Sequence, residues 1–180
     1  AAEFGRGEAS LLALTAALTA QGPRRYTRSE WAHRLERRGA NLWIESEAGR
    51  VSFFARACSE DLSLVAESLI ECLREPRLDA NDFLVERARA IAASQYGAAE
   101  PADMAAAALS RAIHSPAHPW YRAESDQTIA DLEALALEDV RRYHRNRFEP
   151  NDLRIAVVGD IDPGAAAMAF DRALSAWPIA

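Results

Sequence analysis

At 180 residues the chain has room for one domain and no second, and 49% hydrophobic content is enough to fill a core. A net charge of −6 excludes the basic footprint of a nucleic-acid-binding protein. No apolar run approaches the ~18 residues of a membrane-spanning helix, which excludes a membrane span of that kind.

The opening AAEFGRGEAS has neither an apolar signal region nor an initiator Met, and reads as a mature form or an excised fragment. A bacterial periplasm and a cytoplasm are both compatible with it. A first helix is expected over Glu8–Ala20, where Leu11, Leu14 and Leu18 recur on one face and Leu12 and alanines widen the stripe. Gly22-Pro23 stops it. A second helix begins at Thr27, since Thr27-x-x-Glu30 is a capping box. It turns Trp31 and Leu35 inward and ends at Gly39 in the left-handed position. Asn41–Ser46 (NLWIES) and Val51–Ala57 (VSFFARA) read as two strands joined by a hairpin-length turn, EAGR.

Ser59-Glu60-Asp61 caps a helix that runs to Arg74, with Leu62, Val65, Leu69, Ile70 and Leu73 apolar; Pro76 ends it. Asn81 or Asp79 caps a helix over 82–98, and Pro101 opens an Ala-rich one over 102–113. The loop His114–Pro119 holds two prolines. Short helices follow near 129–132 and 137–147. Leu153–Val158 (LRIAVV) is the clearest strand signal, expected as a central strand in which Val157→Asp would bury an unpaired charge. Gly159-Asp160 closes it, and Pro163 starts a last helix ending near Trp177-Pro178. Few strands and many helices, without βαβ alternation, imply an α+β fold: a small, mostly antiparallel sheet with helices packed on one face, spanning 1–180 as a single domain.

Motif chemistry is sparse. His114 and His118 are separated by Pro116 and do not share a helical face, unlike a zincin pair. His33 and Glu36 do share one, but Arg37 stands where a second nitrogen ligand would be needed, and a guanidinium cannot ligate. The basic run Arg141, Arg142, His144, Arg145 and Arg147 reads as the solvated face of a helix. Cys58 and Cys72 read as small core hydrophobes, with no disulfide framework or CxxC metal site. There is no G-x-S-x-G elbow, and one glycine at 159 is no nucleotide fingerprint.

Six stretches, in order, resemble one family. They are Gly22–Leu42 (GPRRYTRSEWAHRLERRGANL), Ser59–Pro76 (SEDLSLVAESLIECLREP), Phe83–Arg87 (FLVER), His118-Pro119-Trp120, Phe148–Asn151 followed by Ala156–Asp162 (AVVGDID), and Trp177-Pro178. Together they resemble the M16 zinc metallopeptidases, the pitrilysin, insulinase and mitochondrial-processing-peptidase group. The resemblance implies a half-domain that pairs with another of its kind, four such units closing around an unfolded peptide. In an active half an inverted H-x-x-E-H motif lies on the first long helix. Here the matching positions are Ala13, Leu14, Thr15, Ala16 and Ala17, so both histidines and the glutamate are alanine. The third ligand's position falls at Ala93.

Methyl groups offer zinc no ligand and water no general base. The resemblance therefore implies a domain with no cofactor of its own. Zinc is expected in a paired catalytic half, in the same chain or in a partner subunit. It further implies that a peptide substrate pairs along the strand at Asn41, Leu42, Trp43 and Ile44, by backbone bonds. Two other readings remain: a stand-alone protein-interaction module, and a metallopeptidase with an unconventional zinc site built from His114, His118 and a distant carboxylate.

Overall fold

The computed structural model describes residues 5, 7–47 and 49–177. The elements are α1 (Glu8–Thr19), α2 (Arg28–Glu36), β1 (Asn41–Glu47), β2 (Arg50–Arg56), α3 (Leu62–Arg74), α4 (Ala80–Ala99), α5 (Pro101–Ile113), α6 (Ser125–Ala134), α7 (Leu137–Arg147) and α8 (Pro163–Leu174), with short 3-10 turns at Ser59–Asp61 and Pro150–Asp152. The fold is α+β, with a two-stranded antiparallel sheet among the described residues.

Local chemistry sets most of the boundaries. Thr27 caps α2: its Oγ1 accepts from Glu30 N at 3.2 Å, while Thr27 N donates to Glu30 Oε2 at 2.8 Å. Of the two candidate caps for α4 it is Asp79, whose Oδ1 accepts from Asn81 N at 2.8 Å. The Ser59-Glu60-Asp61 stretch forms a 3-10 turn ahead of α3, and its Asp61 is buried against Arg38. The hairpin register runs from Asn41 opposite Arg56 to Glu47 opposite Arg50. Ala48 in its turn, the first residues of the chain and Pro178 lie outside the described residues.

Three apolar clusters make the core. Leu14 and Leu18 of α1 meet Leu78, Phe83 of α4, Leu132 of α6 and Val140 of α7. Trp31 and Leu35 of α2 meet Ala40 and Cys72, with Leu42 of β1 packed alongside. Ala66, Ile70 and Leu73 of α3 meet Ala173 of α8, with Phe53 of β2 and Leu153 against them. A backbone clasp ties the α1–α2 turn to the end of α3: Arg24 N donates to Glu75 O at 2.8 Å and Arg77 N to Gly22 O at 3.0 Å.

Three expectations are corrected. Leu153–Val158 forms no strand; Ile155 and Val157 are each 39% exposed and Val158 is 97% exposed. Strand propensity expresses itself only beside a neighbour that pairs the backbone, and among the described residues none lies there. Cys58 is exposed, because it sits past the end of β2, and only Cys72 is a core residue. Within the basic run of α7, His144 is buried rather than solvated, as its position on the helix faces α3.

Candidate functional site

α1 carries the central positions. Residues 13, 16 and 17 share a helical face by their spacing of three and four. Ala13 is exposed, Ala16 is buried and Ala17 is intermediate. α1 packs against α4, α7 and β1. Ala93 lies on the α4 helix that packs on α1, and is itself exposed. The α1–α4 contact continues beyond the apolar cluster through Gln21, whose Nε2 donates to Glu86 Oε1 at 3.2 Å. Glu86 also accepts from Arg89 Nη1 at 2.7 Å. Among the described residues no group of three or more His, Cys, Asp and Glu is placed to hold a metal ion.

β1 packs against α1. Asn41, Trp43 and Glu45 are exposed, while Leu42 and Ile44 are half-buried, Leu42 packing against the α2 cluster. Trp43 is 40% exposed and Phe54 opposite it is 38% exposed. Their rings stack at 5.2 Å between centroids, with Trp43 Nε1 donating to Glu45 Oε1 at 3.3 Å. β1 pairs with β2 on one side, and among the described residues its other edge carries no strand. The row of backbone donors and acceptors on such an edge is a template for an added strand.

The remaining candidates lie on other elements, α2 and the loop after α5. His114 and His118 stack with centroids at 4.2 Å and planes 4° apart. His118 Nδ1 accepts from Trp120 N at 3.2 Å, which commits that lone pair. His33 and Glu36 are exposed on α2, and Arg37 is exposed at its C-cap.

Two ionizable groups are shaped by burial. His144 has its pKa lowered below the ordinary histidine range, first by desolvation. Its Nε2 lies 2.8 Å from Leu73 O, and because a carbonyl only accepts, the ring donates through Nε2. Burial also pushes the Cys72 thiol far up, with the Glu71 carboxylate adding to it. Neither group belongs to the α1 face.

Sequence reading missed the clamp that holds this region. Arg77 Nη1 donates to Tyr26 O at 3.1 Å and Nη2 to Gln21 O at 3.2 Å, while Nε donates to Asp82 Oδ2 at 3.2 Å. The partners are far apart in sequence, and no local motif marks them.

No family model and no curated protein matches the chain. Solved structures do. A peptidase M16 inactive domain from Pseudomonas fluorescens superposes on 98% of this chain and 44% of its own, with a TM-score of 0.83 at 18% identity. A protease from Helicobacter pylori matches 98% of this chain and 43% of its own, with a TM-score of 0.82 at 15% identity. Pitrilysin matches 89% of this chain and 18% of its own, with a TM-score of 0.64 at 19% identity. The chain thus spans less than half the length of each of these structures. Its fold is that of an M16 peptidase half-domain.

Proposed function

We propose that the chain is a non-catalytic M16-type half-domain. Its role is architectural: it pairs with a catalytic half, in the same polypeptide or a partner subunit, and lines part of the chamber in which that half cleaves peptides. The observation that carries this reading is the α1 face. On an M16 peptidase fold, the positions where the resemblance expects two imidazoles and a carboxylate hold the methyl groups of Ala13, Ala16 and Ala17. Ala93 on α4 is equally without a ligand atom. Three N, O or S ligands and a general base are the minimum for zinc-activated water.

Two further points support the pairing. The chain spans 43–44% of two of its structural neighbours, as one half of a larger unit would. One of them is described as an inactive M16 domain. The substrate contribution would come from Asn41, Leu42, Trp43 and Ile44, on the edge of β1 that carries no strand among the described residues, where an extended peptide adds as a strand. Backbone bonds supply affinity there with little demand on sequence.

The test is metal content and proteolysis. The purified chain is expected to hold no stoichiometric zinc and to leave unfolded peptides intact, while co-purifying with a chain that bears H-x-x-E-H. Stoichiometric zinc together with chelator-sensitive cleavage by this chain alone overturns the proposal. A Trp43→Ser variant is expected to weaken peptide capture by the assembled pair, read by fluorescence anisotropy of a labelled unfolded peptide.

A further inference from the structure

α2 carries a second feature, independent of the peptidase reading. A cavity of about 370 Å³ is lined by His33, Arg34, Arg37 and Arg38, with Tyr26 and Leu64 supplying its apolar wall. Its one carboxylate, Glu30, is committed to the capping box, accepting from both N and Oγ1 of Thr27 at 2.8 Å. Arg38 is paired with Asp61 at 3.0 Å. The other two arginines are not neutralised. Arg34 has its guanidinium carbon 5.6 Å from the Tyr26 ring centroid, and its Nε is buried without a hydrogen-bond partner. The side chains of His33 and Arg37 make no hydrogen bond or ion pair among the described residues.

This is unexpected in a chain with 27 acidic and 21 basic residues, where carboxylates are in excess. The negative end of the α2 dipole accounts for cations in its last turn. Among the described residues no protein acceptor meets the terminal nitrogens of Arg34 and Arg37, so a ligand that displaces their water would be their first charged partner.

We infer that the pocket binds a small multivalent oxyanion, whose phosphate or carboxylate oxygens engage the forks of Arg34 and Arg37. Guanidinium pairs with such oxygens in planar, charge-assisted bonds. The cavity volume falls in the range of small-molecule sites. The Arg38–Asp61 pair and the Tyr26 ring under Arg34 hold the flanks of the site in place.

Isothermal titration of the whole chain tests this, with inorganic triphosphate in one arm and citrate in the other. Saturable one-to-one binding of either supports the site, and the arm that binds more tightly assigns phosphate or carboxylate. Arg34→Gln and Arg37→Gln are each expected to weaken it at least about tenfold, as loss of a charge-assisted pair does. Arg34→Lys keeps the charge without the fork and is expected to fall between. Arg145→Gln, whose arginine is paired with Glu138 on α7, is expected to leave binding unchanged. Circular dichroism confirms that each variant is folded, and Arg37, being exposed, provides a variant that keeps the fold. No saturable binding in either arm, or binding that the Arg34 and Arg37 variants leave intact, overturns the inference.

Discussion

Gly22→Ala probes how the α1 face is anchored. Gly22 has φ of +110°, and a Cβ built there would lie 2.7 Å from both Cγ and Cδ1 of Trp31. Trp31 is 5% exposed and anchors the cluster with Leu35, Ala40 and Cys72. Two penalties add. Holding a residue with a side chain at this φ costs about 2 kcal/mol. Displacing a buried, stiff indole costs about 2 kcal/mol more, as overpacking does.

Gly39→Ala separates the two. Gly39 has φ of +60°, and a Cβ there meets nothing within 4 Å, so only the conformational penalty of about 1–2 kcal/mol remains. Urea denaturation followed by far-ultraviolet circular dichroism reads both, provided the m-values agree. Gly22→Ala is expected to lower stability by about 4 kcal/mol, at least about 2 kcal/mol more than Gly39→Ala. Trp31→Ala in the Gly22→Ala background should recover part of the excess as a coupling energy. Equal losses for the two glycines would show that Trp31 does not press on the turn, and would refute the reasoning.

Other outcomes follow from burial and exposure. Val157→Asp is expected to change stability by no more than about 0.5 kcal/mol, as at a half-exposed site, whereas Ile70→Ala, at 2% exposure, is expected to cost about 2–5 kcal/mol in the same titration. The amides of residues 154–158 donate to no described backbone acceptor, so they should exchange with solvent quickly while those of α1 are protected. A thiol reagent should label Cys58 in the native chain and reach Cys72 only on unfolding. His144 has a folded-state pKa below its unfolded value of 6.5, so it stabilises the neutral-ring fold fully above that pH. That stability is lost as pH falls below 6.5 and through the folded pKa, with a slope of at most about 1.4 kcal/mol per pH unit. His144→Gln should flatten that part of the pH profile; an unchanged profile would place the titration elsewhere.

The helical plan was legible because its signals are local. Thr27 and Glu30 are three residues apart, and the capping box forms as the motif implies. Gly39 adopts the left-handed conformation that ends α2. The hairpin follows from two β-rich runs with a short turn between them, and its register sets Trp43 against Phe54. The resemblance to the M16 group was readable for a related reason. Several of its motifs contain local stop and cap signals, such as Gly22-Pro23, Thr27-x-x-Glu30, Gly39 and Pro76.

What failed was the strand at Leu153–Val158. Its composition is right for a strand, but a strand is a relation between two segments, and composition describes one. The Arg77 clamp, the buried His144 and the cationic pocket on α2 were hidden for the same reason, since each depends on groups brought together from separate elements. By itself, the sequence determined where helices start and stop, how the hairpin pairs, and that alanines stand at positions 13, 16, 17 and 93. Only the tertiary structure decided which apolar segment is buried and, among the described residues, which cation lacks a partner and which strand edge carries no strand. Those are matters of neighbours, and neighbours are set by packing across the chain rather than by order along it.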